Sequence, residues 1–210
     1  MSPILRNLIM ALIFATSLQA QYTLKSAGPP PSQADPALAA TLGPEGAQIV
    51  SASGATACEI WLRASMPSGP DLKEEGVTLA TVPHGAFLGV IRFPAAGSDR
   101  RGLPVKPGVY TLRFSFYPAD GNHQGAAPQR DFLILANADG DKDPNATPNF
   151  KTLMDMSGKA SGAPHPVSLS LWKAEATAKP ELEHAGNDWI LKTTIGNTPV
   201  AIILIGKSEG

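Results

Sequence analysis

"GVYTLRFSFY", Gly108 to Tyr117, is the stretch that decides the fold. Tyr110, Leu112, Phe114 and Phe116 occupy alternate positions, with Thr111, Arg113 and Ser115 between them. Side chains of a strand point to opposite faces in turn, so this pattern makes one apolar face and one polar face. The Pro107-Gly108 pair before it is turn chemistry. The stretch predicts a strand with Leu112 and Phe114 in the core and Thr111 on a wetter face.

Seven more runs surround it. They are "CEIWLR" from Cys58, "GVTLATV" from Gly76, "AFLGVIRF" from Ala86, "DFLILAN" from Asp131, "PVSLSLW" from Pro166, "DWILKTT" from Asp188 and "PVAIILIG" from Pro199. Gly, Pro, Asn and Asp punctuate them, and Gly and Pro number 20 each. Short alternating or apolar runs with such punctuation predict an all-β fold, an antiparallel β-sandwich of about eight strands. One segment departs from this period. "TPNFKTLMDMSGKA" predicts one short helix, with Thr147 as its cap, Pro148 in its first turn and Gly158 as its stop.

The ends of the chain read differently. Residues 1–20 combine Arg6 with the apolar run "LIMALIFATSL" and close on Ala20, which predicts a cleaved signal peptide and an exported protein, periplasmic or extracellular. The run is too short for the ~20 residues of a bilayer-spanning helix, so no stable membrane span is expected after cleavage. Residues 21–46 include "SAGPPPSQADPALAATLGPEG" and read as a Pro/Ala-rich arm. The sandwich domain is placed at 47–210. Cys58 is the lone cysteine, so no disulfide partner exists within the chain, and its alternation with Ile60 and Leu62 marks it as a small buried hydrophobe. A net charge of -1 offers no field for nucleic acid or anionic lipid.

"VKPGVYTLRFSFYPADGNHQG", followed by "RDFLIL", resembles a pattern of uncharacterised exported bacterial β-sandwich proteins, in which a Pro-Gly turn feeds a Tyr-Thr/Ser-Leu strand. The resemblance implies an exported β protein of bacterial type and carries over no activity and no functional residue.

Catalytic motifs are absent from the sequence: there is no H-E-x-x-H, C-x-x-C, G-x-S-x-G or phosphate-binding glycine loop. Two constellations remain. If "AFLGVIRF" and "GVYTLRFSFY" are antiparallel neighbours, His84 and His123 share one end of the fold with Asp120, Arg130 and Asp131. Two imidazoles and a carboxylate are a transition-metal or acid–base set. "NADGDKDPNATPNF", Asn137 to Phe150, is the second. Its Asp139, Asp141, Asp143 and Asn145 are spaced as calcium ligands. The EF-hand pattern nevertheless fails, because positions 6 and 12 are Pro144 and Phe150. The expectation is a solvated acidic turn at the end opposite His84, close to Arg100 and Arg101. A looser calcium site is the alternative. No cofactor is assigned, with calcium or a transition metal as the candidates. The function read from the sequence is a non-catalytic extracytoplasmic binding or accessory module. The alternatives are a metal-dependent protein or enzyme at the His84/His123 end and a calcium-stabilised structural module.

Overall fold

A computed structural model describes residues 21–118, 129–162 and 165–208. Residues 1–20, read from the sequence as a signal peptide, and Asp120 and His123 lie outside the described residues. In chain order the elements are β1 (Tyr22–Gly28), α1 (Pro36–Ala39), β2 (Gly46–Ser51), β3 (Thr56–Leu62), β4 (Phe87–Phe93), β5 (Gly97–Ser98), β6 (Pro104–Val105), β7 (Gly108–Phe116) and β8 (Asp131–Asn137). A 3-10 turn at Ala138–Gly140 follows. Then come α2 (Phe150–Ser161), β9 (Ser168–Lys173), β10 (Glu181–Ala185), β11 (Asp188–Ile195) and β12 (Thr198–Ile205).

The fold is all-β and antiparallel. Ten strands form one sheet in the order β1-β2-β3-β4-β7-β8-β9-β12-β11-β10, while β5 and β6 make a separate small hairpin. Curling brings the two ends of the sheet together. Tyr22 of β1 sits edge-on against Trp189 of β11 at 5.4 Å, and His184 of β10 stacks on the same Trp189 at 4.4 Å. One sheet, nearly closed into a barrel, thus supplies both walls around a single core. Ile60, Leu88, Leu112, Phe114, Leu133, Leu171, Leu191 and Ile202 are among its members. Leu112 and Phe114 are fully buried, as their alternation predicts.

Seven of the eight runs read from the sequence are strands. "GVTLATV" is not: residues 77–82 form turns at the His84 end. Val77, Leu79 and Val82 are nonetheless in the core. The alternation reports burial correctly, but the amides of Thr78 and Leu79 are taken by the buried carboxylate of Asp131 rather than by a neighbouring strand.

The segment read as an arm is ordered structure. β1 pairs with β2 along its length, and α1, capped by Asp35, buries Leu38 completely. Leu38 packs outside the sheet with Trp61, Phe87 and Val90. Trp61 Nε1 donates to the Gly28 carbonyl at 2.9 Å, which ties the segment down. Gly46 lies under the indole, where a Cβ would stand 2.4 Å from Trp61 Nε1. The helix α2 is capped by Asn149, whose side chain accepts from Thr152 N, and it stops at left-handed Gly162. It therefore begins past Thr147 and runs through Gly158.

Candidate functional site

The polar face of the deciding strand is dry. Thr111, Arg113 and Ser115 are all fully buried. The reason is the segment after β8. It leaves the far end of β8, returns along the outside of β4 and β7, and reaches the His84 end, where α2 starts and packs back over β8.

Arg113 fastens that segment. Nε and Nη2 make a fork–fork pair with Asp141 at 2.6 and 2.5 Å. Nη1 donates to the carbonyls of Gly85 (2.9 Å) and Ala146 (2.5 Å), and Nη2 also donates to that of Asp143 (2.7 Å). All five guanidinium hydrogens are thereby used. Thr111 Oγ1 donates to the second Asp141 oxygen at 2.5 Å. Gly85 permits the approach: it has a φ of +79°, and a Cβ there would fall 2.3 Å from the Pro148 carbonyl oxygen.

This arrangement corrects the reading of the acidic stretch. Asp141 is buried, not solvated, and both of its oxygens are engaged. Asp139, Asp143 and Asn145 are exposed, and Asp143 Oδ1 accepts from its own Asn145 amide. Arg100 and Arg101 are engaged elsewhere, on Asp188 and on Asp99. A calcium ion on Asp141 would have to displace Arg113. The signal for the true partner was present in the sequence: a lone Arg between aromatic positions of a strand needs a buried carboxylate once its face is covered.

His84 sits near the other sequence-read constellation. Its Nε2 is 3.1 Å from Ser115 Oγ, and the ring also hydrogen-bonds Pro148. Burial holds its pKa below the ordinary 6.5, while the Pro148 hydrogen bond works the other way. Phe116 and Phe150 pack on the imidazole, with Glu74, Pro118 and Arg130 completing a shallow pocket of about 360 Å³. Asp131, which the sequence reading also placed at this end, is committed to Thr78 and Leu79. Among the described residues, no group of three or more His, Cys, Asp or Glu side chains is placed to hold a metal ion. Cys58 is free and buried, and burial pushes its thiol up to about 12. No helix among the described residues is long and apolar enough to cross a membrane.

A further concavity lies elsewhere, where the edges of the sheet part. A groove of about 600 Å³ opens between β1 and the end of β11. Leu24, Ile60, Leu62 and Leu191 give it an apolar lining, and Lys25, Glu45 and Thr194 supply polar groups. The sequence reading missed it because both walls depend on a closure that no local pattern encodes. No protein-family model matches this chain, and no curated protein or solved structure matches it significantly.

Proposed function

We propose that the protein is an exported, non-catalytic binding or accessory module whose ligand occupies the groove between β1 and β11. The observation that carries this reading is the groove itself. It is a concave, mostly apolar cleft with a few polar groups, which is the usual character of a ligand site. Export rests on Arg6 and the apolar run of residues 1–20. His84 and Cys58 have structural surroundings. His84 is held by Ser115 and Pro148, and Cys58 is a buried, protonated thiol.

Two measurements test the reading. N-terminal sequencing of protein from its native host should find the mature chain starting near Gln21, and a retained Met1 would overturn export. Isotope-labelled mature protein titrated with pools of extracytoplasmic metabolites, glycans and peptides should show amide shifts at Leu24–Ser26 and Thr193–Thr194. Shifts gathered instead around His84 and Phe150, with turnover of the added compound, would replace binding by catalysis.

A further inference from the structure

The groove has the shape of a missing piece of strand. In the sheet order, β10 is the last strand and β1 the first, and among the described residues each is hydrogen-bonded on one side only. All neighbouring strands are antiparallel, so after ten strands β1 and β10 also run in opposite directions. β10 lies in the lane between β11 and β1: it pairs with β11 from Ala185↔Asp188 to Glu181↔Lys192, and it approaches β1 on its other side. At Glu181 the lane empties. Pro180 precedes it and has no N–H to continue the ladder. β11 runs on through Thr193, Thr194 and Ile195, which pair only with β12 among the described residues. Across from them stand Leu24, Lys25 and Ser26 of β1.

Both walls of this empty half-lane are strand edges, whose alternate N–H and C=O groups lack partners on that side. β10 fills one end of this lane, hydrogen-bonded to β11 and lying beside β1 without pairing to it, so a strand continuing its line meets the free edge of β11 at the usual spacing of about 4.8 Å. A peptide continuing that line turns alternate side chains inward onto Leu24, Ile60 and Leu191. Its other side chains point outward beside exposed Thr194 and Lys25. We infer that the groove takes an extended peptide segment of a partner protein, three or four residues with alternating apolar and polar side chains, added as a strand between β1 and β11. Strand addition of this kind takes its affinity from main-chain hydrogen bonds and its selectivity from pockets for alternate side chains. The inference rests on the proposed binding function and specifies the class of partner.

The probe is the hexapeptide acetyl-Thr-Val-Thr-Val-Thr-Val-amide, titrated to millimolar concentration into labelled mature protein. Its controls are the same peptide N-methylated at alternate residues and the small apolar dye anilinonaphthalene sulfonate. The expected result is amide shifts confined to Leu24–Ser26 and Thr193–Ile195, with at least tenfold weaker binding of the N-methylated peptide. Equal binding of both peptides, or binding of the dye but of neither peptide at these residues, would overturn strand addition and leave a binding groove. Absence of any shift there with all three probes would overturn strand addition and the binding reading together.

Discussion

The two flanks of this sheet solve the same problem in opposite ways. Over β7 and β8, a charged side chain is buried beneath a loop and its own polar groups are matched: Arg113 donates five times, and Asp141 accepts from Arg113 and Thr111. At the seam between β1 and β11 the backbone has no partner across the gap among the described residues, and Tyr22 packs on Trp189 at one end. The sealed flank specifies the fold. The parted flank is where the proposed partner would bind. Burying an ion pair adds little net stability over an apolar pair, but breaking one leaves an uncompensated charge in the interior. The fork therefore acts as a requirement that the 141–149 loop lie in one place.

The largest effect is expected there. Arg113→Met leaves Asp141 buried and unpaired and should cost about 3–5 kcal/mol in chemical denaturation. Adding Asp141→Leu should recover much of that loss. A single substitution costing under about 1 kcal/mol would mean that the loop is not sealed.

The two faces of β7 come next. Phe114→Ala should cost about 3–5 kcal/mol for a fully buried ring. Thr111→Ala removes a buried donor to Asp141 and should cost about 1–3 kcal/mol, a real loss rather than the near-zero of a wet face. A neutral Thr111→Ala would show that the outer face is solvated.

A smaller contribution comes from His84. Its folded pKa lies below its ordinary value, because burial disfavours the imidazolium. The unfolded chain then binds more protons around and below pH 6.5, so stability should fall as pH drops from neutrality through that value. Above it His84 is neutral in both states and contributes no slope. His84→Gln should flatten the profile below pH 6.5, measured as melting temperature against pH, and an unchanged slope would place His84 in water.

The smallest effect expected is that of metal ions. Millimolar calcium or zinc should leave the melting temperature within about 2 °C of that with chelator, since a 1 kcal/mol change already moves a chain of this size by a few degrees. Asp139→Asn and Asp143→Asn are the proper controls, because Asp141→Asn breaks the fork whether or not an ion binds. A rise of several degrees lost in either control would restore the calcium site. A zinc-dependent rise lost in His84→Gln would support the metal site of His84, His123 and Asp120.

The contrast between the flanks also explains what the sequence made legible. Core positions of β7 were readable because Leu112 and Phe114 repeat with period two, which is a local property. The same rule applied to Gly76–Val82 found the buried residues and missed the structure, because Asp131, far along the chain, supplies the partners that a strand would have supplied. Arg113 looked solvent-facing for the same reason: its cover arrives from residues 141–149. The Pro-rich composition that follows it hid β1, which forms its ladder against β2. Edges, covers and seams depend on where distant segments land, and periodicity carries no record of that.

Amide hydrogen exchange on the mature protein tests the contrast directly. Amides of β7 and β8 should exchange only through global unfolding, while those of β1 and of Thr193–Ile195 that face the seam should exchange through local opening, faster by orders of magnitude. Equal protection of the seam and of β7 would contradict the account, because it would mean that the edges are paired to each other and that no strand-shaped vacancy exists.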